Sequence, residues 1–310
     1  MRNIHVVSDS SYQLPVVSGI VACSIDVARE KVYMCNKEGK IFSLDGTEHE
    51  AILSECEVNL NMAAVDEDEA VAGEDNQWFS LTVVPEVSLI VGISHSGCIA
   101  TLSAVEDPAA AGHSFGRQPD RFEVSCEGCV EGGISTVSWS PDQRFLLLLT
   151  NNDSLICMTN NWEVVNEIDL QPRASTTGVV SGGHASSISW RGDSEFFAVY
   201  TVDACDNVGR VRVYTKDLMY VGMGRDIGDE NSSFLRGLGT PVCGFAPSAG
   251  GMIAVPRLHK NKQQITLLET SGLHHGEFDL VLPTAAAVGE VLSKASWEVN
   301  FLQWHSSQTM

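Results

Sequence analysis

The sequence predicts an all-β fold, and three observations carry that prediction. Short apolar stretches rich in Val, Ile, Leu and Phe recur between Gly, Asn, Asp and Pro clusters, helix-period patterns are scarce, and one strand–turn–strand pattern returns along the chain. The 310 residues allow one large β domain or two ordinary domains, with enough chain to bury a substantial core.

The elements follow in order. A first, weak copy of the pattern starts near Ile25 and continues through Lys31–Cys35 and Gly39–Asp45. A second starts near Leu81, with Ser88–Gly92 and Gly97–Ser103 as its next strands. The third is the clearest. Ile134, Thr136 and Ser138 alternate with Ser135, Val137 and Trp139, and the strand ends at Ser140-Pro141-Asp142-Gln143. Pro141 presets φ for a tight turn and Asp142 can bond backbone two residues on, so the chain reverses into the apolar strand Phe145–Leu149. Asn151-Asn-Asp and Asn160-Asn-Trp then turn it into two more strands, Ser154–Thr159 and Glu163–Leu170. Such a four-strand meander has the size of a propeller blade.

The fourth copy repeats this in Ile188-Ser-Trp190-Arg-Gly192-Asp193, the apolar strand ending at Tyr200, Arg210–Thr215, a Lys216-Asp217 turn and Leu218–Val221. A degenerate fifth runs Val242–Val255, Gln264–Glu269 and Gly276–Leu280. The residues before the turns, 25, 81, 139, 190 and 245, are spaced by 56, 58, 51 and 55. The expected fold is thus a WD-type β-propeller of about five four-stranded blade-like units, over residues 1–281. Propellers of this type close with about seven blades, within a range of four to eight, so the units are expected to be an incomplete part of such a ring. Residues 282–310 are expected to be a divergent C-terminal tail; Trp297 could begin a sixth blade.

Charge and composition exclude several function classes. Lys and Arg number 19 against 40 Asp and Glu, a formal charge of −21, so a phosphate backbone meets a repulsive field. No apolar run reaches bilayer length and the N-terminus lacks the apolar core of a signal peptide, which predicts a soluble, intracellular chain. Nine cysteines at irregular intervals predict reduced, mostly buried thiols rather than a disulfide framework.

Each candidate site has a plain structural alternative. Cys126-Glu-Gly-Cys129 lacks the second pair that zinc ligation needs and the βαβ setting of a redox motif. Ser94-His-Ser, in Gly92–Gly97, misplaces the second Gly of a nucleophile elbow, which predicts a β-turn. Gly222-Met-Gly-Arg-Asp-Ile-Gly misses the dinucleotide fingerprint by one place and is expected to be a loop. His274 and His275, adjacent on a strand, point to opposite faces. Arg257, His259, Lys260 and Lys262 form the only basic cluster, without the aromatic platform of single-strand binders, and are expected in a solvated inter-strand loop. The acids between Asp66 and Asp75 fit a solvated loop, or a cation or docking patch. No catalytic, cofactor or metal residues emerge. Trp139 and Trp190 are expected to fill core between blades, while Pro141 and Asp142, and Gly192 and Asp193, are expected to form the turns that follow them.

The third and fourth units carry wording beyond general propeller grammar. Gly132-Gly-Ile-Ser-Thr-Val-Ser-Trp-Ser-Pro-Asp-Gln, Leu155-Ile-Cys-Met-Thr-Asn-Asn-Trp-Glu, Ile188-Ser-Trp-Arg-Gly-Asp-Ser-Glu-Phe-Phe-Ala-Val, Arg210-Val-Arg-Val-Tyr and Ser271-Gly-Leu-His-His-Gly-Glu-Phe follow one another in an order that resembles the N-terminal WD-repeat region of the Elongator complex subunit 1 family, the complex's largest subunit. The opening Met1-Arg-Asn-Ile is similar to that family's start. Two departures stand out: the segment from Leu170 to Ile188 is shorter than in the family, and the match fades after about residue 281. Members are several times longer, so the chain looks like a truncated or N-terminal piece. The resemblance implies a non-catalytic scaffold that supports wobble-uridine modification of tRNA to 5-carboxymethyluridine-type products. Its implied partners are the WD-repeat second subunit and the catalytic third subunit, which carries the radical S-adenosylmethionine and acetyltransferase chemistry. It implies no strong tRNA binding by this segment and no membrane contact. The implied location is cytoplasmic, with a nuclear pool allowed. A WD-type adaptor binding peptides outside Elongator is the alternative, and a propeller-bearing hydrolase is disfavoured by the missing nucleophile elbow.

Overall fold

A computed structural model describes residues 19–26, 29–46, 51–60, 78–84, 89–105, 120–170, 186–203, 208–225, 232–233, 243–246, 251–259 and 262–280. The acidic stretch from Asp66 to Asp75, Lys260 and residues 281–310 lie outside them. The chain divides into two compact bodies, Met1–Gly133 and Ile134–Met310. Among the described residues there is no helix, and so none long and apolar enough to cross a membrane.

The first body holds two sheets. One is the meander β1 (Ile20–Asp26), β2 (Lys31–Asn36), β3 (Ile41–Gly46) and β4 (Ala51–Glu55). The other joins β6 (Trp78–Val84), β7 (Leu89–Ser94), β8 (Cys98–Ala104) and β9 (Arg121–Cys129) in that order. A further strand, β5 (Glu57–Leu60), lies parallel to β9 on the outer edge of this second sheet, Glu57 opposite Arg121 and Leu60 opposite Val124. Only Cys56 separates β5 from β4, and its amide still donates to the Ile41 carbonyl at 2.8 Å. The chain thus passes from the edge of one sheet to the edge of the next. Tyr33, Cys35, Ile41 and Cys56 pack on Leu81, Val83, Ile90, Leu102 and Phe122 between the two sheets. The Lys31 ammonium adds a bidentate pair with Asp120 at 2.8 Å.

The second body holds three sheets. β10 (Ile134–Trp139), β11 (Phe145–Thr150), β12 (Ser154–Thr159) and β13 (Val164–Asp169) form one meander. β14 (Ser186–Trp190), β15 (Phe196–Asp203), β16 (Val208–Thr215) and β17 (Tyr220–Arg225) form the next. In the last, β20 (Ile253–His259), β21 (Lys262–Leu268) and β22 (His274–Asp279) are complete. The inner position, however, is shared by two-residue strands, β18 (Ser232–Ser233) and β19 (Gly244–Phe245), which pair opposite ends of β20. The five blade-like sheets of the sequence reading are present, two of them with a fifth strand.

Middle strands are buried on both faces, as their continuous apolar runs require. Leu146–Leu149 and Phe197–Tyr200 are each at most 1% exposed. One face of β11 and β12 packs with Trp190, Phe197, Val199 and Tyr214. The opposite face of β15 and β16, bearing Ala198, Tyr200, Val211 and Val213, meets Phe245, Ile253, Val255 and Leu268. Inner strands are stitched by serines. The Ser24 hydroxyl accepts from the Val83 amide at 2.9 Å, Ser187 from Cys243 at 3.1 Å and Ser189 from Phe245 at 2.9 Å. A short polar side chain on an inner strand satisfies a backbone N–H of the next blade, which the ladder leaves orphaned.

Candidate functional site

Eight hairpins are built on one plan. In each, among the described residues, a carbonyl accepts from the amide three residues on, and that third residue sits at positive φ; in six it is the last residue of a three-residue hairpin loop, whereas Gln143 and Ser194 are each followed by one more loop residue, Arg144 and Glu195. The pairs are Asn36 with Gly39, Ser94 with Gly97, Ser140 with Gln143, Thr150 with Asp153, Thr159 with Trp162, Arg191 with Ser194, Thr215 with Leu218, and Glu269 with Gly272. Glycine takes this conformation without strain, but five of the eight positions carry a side chain.

The two turns singled out by sequence hold their shape differently. Ser140 donates its hydroxyl to Asp142 at 2.6 Å and accepts from the Phe145 amide at 3.0 Å, and Asp142 also accepts from the Arg144 amide. In the next blade Arg191 replaces that serine. Its guanidinium binds Asp193 through Nε at 2.9 Å and a terminal nitrogen at 2.6 Å, and lies 4.1 Å over the Phe196 ring. Pro141 and Gly192 hold equivalent exposed positions ahead of the two aspartates. The Ser194 hydroxyl accepts from the Asp142 amide at 3.2 Å, joining one turn to the other. Burial alone would raise the Asp142 carboxyl, but hydrogen bonds from Ser140, the Arg144 amide and Ser194 hold it below its usual value. Asp193 is held low chiefly by Arg191, against burial, with help from the Glu195 amide.

The tryptophans differ. Trp190 is 7% exposed, its indole N–H donates to the Ser138 carbonyl at 3.2 Å, and its ring packs on Phe197. Trp139 is half-buried, meets the edge of Trp162, and its buried indole nitrogen has no partner among the described residues.

Other candidates resolve locally. Ser94, His95 and Ser96 sit at the end of β7 and in its turn, with the Ser94 hydroxyl accepting from the Cys98 amide and His95 stacked on Phe79 at 4.1 Å. Gly222 and Gly224 lie inside β17 rather than in the expected loop, and Gly228 lies outside the described residues. A Cβ on Gly222 would stand 2.1 Å from the Ser271 carbonyl oxygen, so glycine here lets an outer strand touch the backbone of the next blade's turn. Of the basic cluster, Lys260 lies outside the described residues, and the other three are in strands rather than in the expected loop. Arg257 and His259 belong to β20 and Lys262 to β21, and the Arg257 guanidinium is buried against Glu277 at 3.5 Å. His274 and His275 face separate carboxylates, Glu277 at 3.6 Å and Glu269 at 3.4 Å. Of the cysteines, Cys35, Cys56, Cys157 and Cys243 are buried, and burial pushes each thiol up to about 11; Cys23, Cys126 and Cys129 are exposed instead. No group of three or more His, Cys, Asp or Glu side chains suited to a metal ion occurs among the described residues.

What the sequence reading missed is the rim. Outer strands of three successive blades expose Val164 and Val165, then Tyr220 and Val221 beside Met219, then Leu273 next to β22. They are joined side to side: the Asn166 amide donates to the Asp217 carbonyl, and Gly222 abuts Ser271. These exposed apolar side chains lie on the outer strands of neighbouring sheets, and in the last of them the equivalent positions are taken by His274 and His275. Their sequence signal was an apolar residue on an outer strand where alternation calls for a polar one.

The model of the ELP1 first N-terminal β-propeller matches the chain in two stretches, residues 1–184 and 178–309. The chain belongs to this family. Elongator complex protein 1 of Rattus norvegicus is 29% identical over 223 residues, 60% of this chain and 16% of the relative. The Drosophila melanogaster protein of the same name is 27% identical over 239 residues, 66% of this chain and 18% of its own length. The chain thus spans under a fifth of these relatives. Among solved structures, the Cps50 (Swd1) β-propeller domain of Myceliophteria thermophila superposes with a TM-score of 0.53 at 9% identity, covering 85% of this chain and 74% of that one. That likeness carries the β-propeller architecture. The blade sheets of this member of the ELP1 propeller family are those described above.

Proposed function

We propose that the chain is a non-catalytic scaffold component of the Elongator complex, supporting the modification of wobble uridine in tRNA. The observation that carries this reading is the family match along both bodies of the chain. The chemistry then resides in a partner subunit, and this chain contributes contact surface. The exposed Val164, Val165, Tyr220, Val221 and Leu273 on the outer side of neighbouring blades support such a role, because exposed apolar side chains favour protein association over solvent. Its expected partners are the WD-repeat second subunit and the catalytic third subunit, and its expected location is cytoplasmic, with a nuclear pool.

The test is purification of the tagged chain from its own cells followed by mass spectrometry. Recovery of the other Elongator subunits, reduced by a Val165→Asp plus Tyr220→Asp variant that keeps its melting temperature, is the expected result. A set of partners without Elongator subunits would assign the chain to the adaptor class instead.

A further inference from the structure

Three thiols gather on one face of the outer hairpin of the second blade. Cys98 opens β8 directly opposite Cys129 of β9, and the ladder then slips by one residue, so that Ala100 faces Cys126. Glu127 is the extra residue of this bulge, and its carboxylate accepts from the Thr101 hydroxyl at 2.6 Å. Because a bulge re-aims the side chains beside it, Cys126 turns toward Cys98, and the two sulfurs approach to 3.6 Å. The Cys126-x-x-Cys129 spacing that stands out in the sequence is therefore not the pair the fold brings together.

We propose that Cys98 and Cys126 are a reversible redox site, closing to a cross-strand disulfide by exchange with a low-molecular-weight disulfide. The first step belongs to Cys126, which is exposed. Its thiolate attacks one sulfur of the small disulfide, that S–S bond breaks, and the first small thiolate leaves with the electron pair and takes up the proton Cys126 gave to solvent. Cys98 then loses its proton and attacks the Cys126 sulfur, expelling and protonating the second small thiol. Two protein thiols are oxidised by two electrons and one small disulfide is reduced to two thiols. Burial first, and then the neighbouring Cys126 and Cys129, push the Cys98 thiol up to about 12. The exposed Cys126 therefore makes the first attack, and Cys98, the less exposed of the two and already 3.6 Å from the Cys126 sulfur, makes the second. The sulfurs need to close by about 1.5 Å to reach bonding distance.

The experiment incubates the purified chain with glutathione disulfide at several ratios to reduced glutathione, blocks remaining thiols, and maps peptides by mass spectrometry. The expected result is a cross-linked peptide pair joining Cys98 to Cys126, reversed by dithiothreitol, kept in Cys129→Ser and lost in Cys98→Ser and Cys126→Ser. A Cys126–Cys129 or Cys98–Cys129 link in the unmutated chain would overturn the proposal. So would single glutathione adducts without a link, or one bound zinc ion that protects all three thiols from alkylation.

Discussion

Trp139 and Trp190 end the inner strands of consecutive blades, and their surroundings set how much each contributes. Trp190 fills space among Leu147, Phe197 and Tyr214 and satisfies its N–H on Ser138. Its truncation to alanine should cost roughly 3–5 kcal/mol, as buried aromatic deletions do. Trp139→Ala should cost clearly less, because the half-buried ring leaves a smaller void and removes an indole N–H that has no described acceptor. Equal losses of melting temperature in the two variants would contradict this difference. Gly97 is a second residue-scale test. Its φ is 104°, and a Cβ there would stand 2.2 Å from the Val130 carbonyl oxygen. Gly97→Ala should destabilise the chain by more than about 1 kcal/mol, since it combines a backbone clash with left-handed strain; chemical denaturation would reveal an unchanged midpoint if the turn could simply move.

At the scale of the element, the hairpin turn is the unit that repeats. The sequence showed clearly where turns fall after Trp139, Thr150 and Trp190, because Pro141-Asp142, Asn151-Asn-Asp and Gly192-Asp193 are local turn chemistry. It did not show that Trp162 and Leu218 take left-handed φ of 67° and 61°, since large apolar residues ordinarily signal strand. Leu218 is held there by its burial in the core beside Tyr214, a tertiary effect with no local signature. Two substitutions separate the contributions. Gln143→Gly should leave stability unchanged or raise it by up to about 1 kcal/mol by relieving strain, whereas Leu218→Gly should lower it by roughly 2–4 kcal/mol through the lost side chain. The same turns predict a pH effect. Asp142 and Asp193 have carboxyls held below the ordinary 3.8, so their stabilisation is complete above that value and is lost as pH falls through their lower folded values. Thermal melting between pH 6 and pH 3 should fall less steeply for Asp142→Asn plus Asp193→Asn than for the unmutated chain.

For the whole molecule, charge is the most legible property. At −21 the chain should bind tRNA no more tightly than the roughly 10⁻⁴ to 10⁻⁶ M of non-specific contacts at physiological salt. Arg257, the centre of the basic cluster, is paired with Glu277, which partly neutralises the one local exception the sequence offered. Sub-micromolar binding in a filter assay would contradict this. Blade number and order were equally legible, because apolar strands recur at near-constant spacing. Two features were not: the split inner strand of the last blade, whose residues Ser232 and Ser233 lie in a polar stretch without strand pattern, and β5, whose place is decided by β9 more than sixty residues later.

The chain between Ala51 and Leu60 belongs to two blades, pairing first with β3 and then, past Cys56, with β9. An opening of the first blade that frees β4 therefore also bares the outer edge of the second. Neighbouring blades of a repeat architecture ordinarily open one at a time; these two are basted together, like adjacent panels of cloth held by a single thread. Amides of β2 and β3 should accordingly exchange with solvent deuterium at the same free energy as those of β8 and β9, as a single cooperative unit.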